Sequence, residues 1–451
     1  MKKCRNGMRG FLSLRAVPAV AALAVALAIG LSGCVSNKTN SAVSVGQTNL
    51  YFGTANKAGN SYWSGGVWSI TLDSATNYFG YNDVVGVSGT QLGGDPLNGA
   101  FATTSSGFLD LTLSQSATSA SISRGGTGVG GYAVALPGEG LLMRTGGSSI
   151  DVLGNSPSAL IGATHSAACP AFTSAETFNF IAQGTTNQGD SIVHVAYGSV
   201  QITPVTAGTQ GGADSWSFSN LNMYDLSGNS LSPSAIPNAT CPATSEGFVL
   251  VSTLPNATYY PAQITTGVSP SGLLVMDQGG QAQLFDSTPT GPTGLLGVVK
   301  PSAALNVSEM VGKKYAGFES DPLGPLGTVA VVFGTTPGSG TAITGGGFPK
   351  DDVTQTPVIN KTLDLGAQST QTPGLFTSVT LTQPDTYSVC AGTSSGGTDS
   401  QGNPTCIFHG VAVAGQVGGK YVIFTNINDP TALTSKGATP LAVINLALYQ
   451  Q

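Results

Sequence analysis

Proton-transfer chemistry needs a positioned acid or base with an altered proton affinity, and this chain supplies few candidates. It has three histidines, His165, His194 and His409, and five glutamates, Glu139, Glu176, Glu246, Glu309 and Glu319. His194 stands in IVHVAYG on the face opposite Val193 and Val195, so strand alternation turns it to solvent. His165 lies in a Ser/Ala-rich stretch and His409 opens a strand, so no two histidines are neighbours in sequence. Neither a metal cluster nor a nucleophile triad is expected. Four of the glutamates fall in loops or linker turns, and Glu319 ends a short strand. Glycoside hydrolysis needs only a carboxylate pair, and Asp73, Asp83, Asp110, Asp277 and Asp286 lie on or beside strand-like stretches. Spacing assigns no pair among them. Asp110 faces outward by alternation, and Asp73 sits where a strand ends, the place of a turn former.

Two short matches to catalytic signatures lack their context. GTSSG at 392–396 has the G-x-S-x-G spelling, but a nucleophile elbow needs a strand before it and a helix after. GTGVGG at 126–131 has the dinucleotide spelling with no phosphate-binding helix to follow, and reads as a flexible turn. No catalytic residue, metal or cofactor is assigned.

Aromatic residues are more informative. Eight of the 33 fall between positions 51 and 81. Trp68 shares a face with Ile70 and Leu72 and reads as core. Tyr62 and Trp63 stand in the loop-like AGNSYWSGG, where they make either a stacking platform for sugar or peptide or a plug folded onto a barrel end.

Of six cysteines, Cys4 and Cys34 are N-terminal. The other four, Cys169, Cys241, Cys390 and Cys406, are even in number and read as disulfides of an exported protein. Repeat boundaries select Cys169 with Cys241 and Cys390 with Cys406, the second pair bracketing AGTSSGGTDSQGNPT. A metal site would want tighter Cys or His spacing.

The elements that must hold these residues are strands. Apolar residues come in short alternating bursts, as in GVWSITLD and GFLDLTLS, separated by Gly- and Pro-rich turns. One order of bursts runs three times, and GEGLLMRTGG (138–147) and PSGLLVMDQGG (270–280) are its sharpest echo. The pattern predicts an all-β chain of three tandem antiparallel meander domains, small barrels or sandwiches, at 49–168, 169–309 and 310–451. Closure is expected because open sheet edges pair with neighbours. The alternative is a single β-propeller, since residues 50–79 resemble one propeller blade, ending in DSATN. The only helical turns expected are at TSAETF and VSEMV, capped by Ser174 and Ser308.

At the N-terminus Lys2, Lys3, Arg5, Arg9 and Arg15 precede an apolar run of Ala, Val and Leu, with no acidic residue in the first 33 positions. That is an export-signal layout, and the run is also about long enough to span a bilayer. Leu31-Ser32-Gly33-Cys34 decides between them, because it resembles the lipobox of bacterial lipoproteins. The resemblance implies that residues 1–33 are removed as a signal peptide. It further implies that Cys34 receives a diacylglyceryl group and that 34–48 form a tether. Two or more acyl chains anchor stably where one does not. Val35 and Ser36, with no Asp after the cysteine, imply sorting to the outer membrane. The repeat itself resembles uncharacterised envelope lipoproteins, which imply no activity.

Five of the sixteen basic residues lie in that leader, so eleven remain against twenty-two acidic ones, a mature net charge near −11. Nucleic acid is thereby excluded as a partner, since it requires a basic face. The expectation is a membrane-anchored envelope protein, not an enzyme, that binds, adheres or scaffolds, with a glycan or protein as partner. A hydrolase or lactonase on a propeller is the alternative.

Overall fold

The computed structural model describes residues 48–57, 66–86, 97–113, 129–145, 158–164, 174–185, 193–205, 215–233, 235–236, 238–240, 250–253, 263–269, 271–278, 293–320, 328–334, 340–386, 388, 390–429 and 442–451. They are mostly strand, and the strands close into three rings rather than the blades of a propeller.

The first ring holds β1 (Thr48–Lys57), β2 (Gly66–Asp73), β3 (Tyr78–Gly86) and β4 (Leu97–Thr103). It continues through β5 (Leu109–Leu113), β6 (Val129–Leu136), β7 (Gly140–Thr145) and β8 (Ser158–Thr164). Each strand pairs antiparallel with the next and β8 returns to β1, a closed barrel.

The second ring begins with β9 (Glu176–Thr185), β10 (Val193–Val205) and β11 (Ser215–Tyr224), with β12 (Ser230–Leu231) as a flap on β11. It continues through β13 (Ala239–Thr240), β14 (Leu250–Thr253), β15 (Gln263–Val268), β16 (Leu273–Gln278) and β17 (Thr293–Val299). β17 pairs with β9, and the β10–β11 pairing completes the circuit.

The third ring holds β18 (Tyr315–Ser320), β19 (Thr328–Phe333), β20 (Ala342–Gly347), β21 (Lys361–Asp364) and β22 (Leu375–Pro384). Then come the flap β23 (Gly396–Thr398) and the strands β24 (Pro404–Val417), β25 (Lys420–Asp429) and β26 (Ala442–Gln450). β26 pairs with β18, and β22 with β24.

The barrels are not independent beads. β1 and β8 of the first pack against β15 and β16 of the second. β9, β10 and β17 of the second pack against β24, β25 and β26 of the third. β18 and β26 of the third return to β6 of the first. The first and last strands of each barrel, joined by β10 in the second, thus meet β15 and β16, β24 to β26, or β6 of the next, and the contacts run in a cycle.

Strands at this junction are buried on both faces, so they read as continuous apolar runs instead of alternating ones. In β16, Leu274 and Met276 fill the second barrel, while Leu273 and Val275 join a cluster fed by all three barrels. In β25, Tyr421 and Ile423 line the third barrel, and Val422 and Phe424 enter that same shared cluster. The sequence echo GLLMR and GLLVM is explained here. Both are the seventh ring strand, which must satisfy two cores at once.

Hairpin turns follow local chemistry. In DLSGN (225–229) and DSQGN (399–403), the Asp Oδ1 accepts the N–H groups two and four residues on, and Oδ2 accepts the Asn side chain. Asp73 in DSATN works similarly, accepting from Ala75 N and Thr76 Oγ1. The stretch that resembles a propeller blade is therefore a hairpin of the first barrel.

Some expectations are corrected. VSEMV is a helix, α1 (Val307–Val311), but its cap is Asn306, whose side chain accepts from Glu309 N. Ser308 instead donates to Asn306 Oδ1 at 2.7 Å. Ser174 caps no helix, because the chain passes directly into β9. Val129, Gly130 and Gly131 of GTGVGG belong to β6 rather than to a turn, at a register shift opposite Leu111 and Thr112.

Candidate functional site

The lipidation residue Cys34, the proposed platform Tyr62 and Trp63, and the pair Cys169 and Cys241 all lie outside the described residues. So do His165, Asp286 and Glu246. His194 is in β10 and pairs with Gly184. His409 lies within β24 rather than opening it, exposed, between Thr380 and Asn428 in the ladder.

Cys390 and Cys406 are bonded, with Cα atoms 5.5 Å apart. Asp385 lies beside them and accepts from Cys390 N at 3.0 Å. Together the three residues have the spacing of a metal cluster. Both sulfurs are consumed in the disulfide, so the thiolates that a soft metal requires do not exist there. GTSSG lies in the stapled loop and leads into β23, so no elbow helix follows it.

The polar chemistry that sequence reasoning passed over is at the junction. Between the first and third barrels, Asp351 accepts from Arg144 Nη1 at 2.7 Å, from Tyr132 OH at 3.0 and 3.2 Å, and from Ala330 N at 2.7 Å. The Arg144 and Asp351 side chains are each only 5% exposed. Aromatic edges surround them: Phe108 and Phe318 meet Tyr132 at 5.6 Å, and Phe108 meets Phe348 at 5.4 Å. Burial pushes the Asp351 carboxyl above its ordinary range, an effect that Arg144, Ala330 N–H and the Tyr132 hydroxyl partly offset. Burial likewise lifts the Tyr132 phenol well above its usual value. Lys350 and Asp351 both have positive φ, 54° and 57°. For residues other than glycine that costs about 1–3 kcal/mol each and persists only where the surroundings impose it. Asp110 is on the outer face of its barrel as expected, but it faces this junction. Its carboxyl is raised by burial and then by Asp352.

The other two interfaces carry clamps as well. Between the first and second barrels, Glu139 accepts from Ser271 N at 3.0 Å and from Ser271 Oγ at 2.6 Å. These residues occupy the turns β6–β7 and β15–β16. The equivalent β24–β25 turn meets them, because a Cβ on Gly418 would lie 3.0 Å from Glu139 Cγ. Gly418 and Gly419 have φ of 57° and 74°, the two positive values that a two-residue hairpin turn needs. Between the second and third barrels, Asn426 Nδ2 donates to the carbonyls of Ala182 and Ala196 at 3.1 Å, and Asn179 Nδ2 to Pro373 O at 2.8 Å.

A fourth polar group lies inside the third barrel. Glu319 on β18 forms an ion pair with Lys361 on β21, whose Nζ also donates to Gln383 Oε1 at 3.0 Å. Glu319 thus lies near the end of a short strand, as expected, but is buried and turned inward. A lone Arg in GLLMRT and the PKDD cluster were the available signals for the junction. Neither named its partner, because the partners are about two hundred residues apart.

No protein-family model and no curated protein matches the chain. Among solved structures, the vaccine antigen Transferrin Binding Protein B from Haemophilus parasuis Hp5, in a double-mutant form, is similar with a TM-score of 0.24 and 10% identity. The match covers 90% of this chain and 76% of that one. A superposition at that score does not establish a shared fold.

Proposed function

We propose that the chain is a lipid-anchored protein of the bacterial outer membrane that acts by binding or scaffolding rather than by turnover. The observation that supports this most is how the buried polar groups are used. Arg144, Asp351, Tyr132, Glu139 and Asn426 hold one barrel to another. A positioned group whose contacts tie one packed element to another serves rigidity rather than chemistry. In this reading the three barrels are held by a tether at 34–48, and Tyr62 and Trp63 bind an envelope glycan or protein partner.

The anchor is tested by changing Cys34 to Ser, which is expected to block maturation and release the protein from membranes. Normal processing with retention on the membrane would count against it. Binding is tested on a glycan array and by pull-down from envelope extracts, with a Tyr62→Ala/Trp63→Ala double variant beside the wild type. The variant is expected to lose most binding. Equal binding would remove the aromatic segment from the proposal, and turnover of any glycan or lactone would overturn the non-enzymatic reading.

A further inference from the structure

Glu319, Lys361 and Gln383 meet inside the third barrel, near one end, in an arrangement that a structural ion pair does not require. Tyr315 lines the interior of this barrel, and Glu319 lies four residues on along β18, so it points inward as well. Leu363 and Leu381 also line the interior, and Lys361 and Gln383 share their parity on β21 and β22. Thr362 pairs with Thr382, so Lys361 and Gln383 face each other directly across the two strands. Gln383 in turn pairs with Cys406, which ties the loop after β22 down beside it through the bond to Cys390. The side chains of Glu319 and Lys361 are 6% and 15% exposed.

Three features suit acyl transfer. The amine nitrogen of Lys361 is in hydrogen-bond contact with the side-chain amide of Gln383. A carboxylate touches that amine. The second carboxylate oxygen, Glu319 Oε2, is buried and has no hydrogen-bond partner among the described residues. Ordinarily a buried carboxylate is satisfied at both oxygens, and an exception calls for an explanation.

We infer that Lys361 and Gln383 become joined by an intramolecular isopeptide bond, with Glu319 carrying the protons. The Lys361 ammonium gives one proton to Glu319, and the freed Nζ lone pair attacks Gln383 Cδ, forming a tetrahedral intermediate. Its collapse breaks the bond from Cδ to the side-chain nitrogen. Glu319 passes its proton to that nitrogen, and Nζ loses a second one to it by the same route. The products are a neutral amide between Nζ and Cδ and one ammonium ion, so atoms and charge balance without an oxidant or a co-reactant. Oε2, which has no other partner among the described residues, is the oxygen free to accept N–H from the departing nitrogen. Aminolysis of a carboxamide is slow in water, but fixing the partners side by side gives effective concentrations of roughly 10⁵ M or more. Shielding from water also removes hydrolysis as a competitor. The product bonds β21 to β22 covalently at the disulfide end of the barrel, a second staple beside the Cys390–Cys406 bond.

The test is tandem mass spectrometry of the full-length purified protein after reduction and trypsin digestion. The wild type is expected to yield a single looped peptide spanning residues 351–420, with no cleavage after Lys361, about 17 Da lighter than the linear peptide of the same span. Lys361→Arg and Glu319→Gln variants are expected to give only linear peptides. Circular dichroism matching the wild type shows that each variant is folded. Linear peptides with cleavage after Lys361 in the wild type would overturn the inference. A branch about 18 Da lighter that joins Lys361 to Glu319 would overturn the role given to Gln383. A Lys361–Gln383 loop that persists in Glu319→Gln would remove Glu319 as the proton carrier.

Discussion

At the residue scale, the junction depends on charges taken out of water. Breaking one half of a buried ion pair is far more damaging than its net contribution suggests, because it strands the other charge. Arg144→Met is therefore expected to lower unfolding free energy by roughly 3–5 kcal/mol at neutral pH in a urea titration. The pH dependence has a definite sign. Burial already raises the Asp351 carboxyl above its ordinary value of 3.8 in the folded protein, with Arg144 opposing. An acid raised on folding contributes most below its unfolded value and loses that contribution as pH climbs through its folded value. Without Arg144 the carboxyl rises further. The deficit of Arg144→Met should be smallest below about pH 4, where Asp351 is protonated in both states, and should grow toward neutrality. A deficit that does not vary with pH would show that Arg144 acts through packing instead. None of this was visible in sequence: a single Arg in an apolar run announces a buried charge, but Asp351 stands 207 positions away.

At the element scale, the chain was far more legible. The strand burst GVWSITLD, the turn-forming Asp73 and the bracketing of a Gly/Ser-rich loop by Cys390 and Cys406 are all local, and the structure bears each out. The disulfide closes a loop with a sequence separation of 16. In the chain-entropy model, reduction is expected to cost roughly 3 kcal/mol, read as a lower urea midpoint in dithiothreitol. A Cys390→Ser/Cys406→Ser variant should behave like the reduced protein, and an unchanged midpoint in both would refute the estimate. Non-reducing peptide maps are expected to recover Cys169 with Cys241 as the second bridge, and any cross-link between repeats would count against that pairing. The helix cap shows the limit of local reading. Asn306 and Ser308 are both good capping residues, and only backbone geometry, with Asn306 at φ −78° and ψ 93°, selects the first.

At the scale of the whole molecule, the three barrels share a core, so they should not melt one at a time. Phe108, Leu142, Leu273, Val298, Val413 and Tyr449 belong to one cluster although they come from three rings. Unfolding by urea is expected to be a single transition in which tryptophan fluorescence, reporting the first two barrels, coincides with far-UV circular dichroism, reporting all three. Leu273→Ala empties a fully buried position where β16 meets Gly140. It should lower stability by about 2–5 kcal/mol and shift both signals together. Separate transitions in the wild type would show barrels that fold independently.

What the sequence determined by itself is whatever short-range physics enforces. Period-two alternation, turn-forming Asp, Asn and Gly, and paired cysteines yielded an all-β chain whose meander order repeats three times. Those signals act over a few residues, so one chain suffices to read them. The tertiary structure alone decided that each meander is a barrel rather than a sandwich, that the rings pack in a cycle, and that Glu139, Arg144 and Glu319 find Ser271, Asp351 and Lys361. Burial of apolar surface is non-directional and does not name its partner. A continuous run such as GLLVM says that both faces are covered, but only the folded chain says by what.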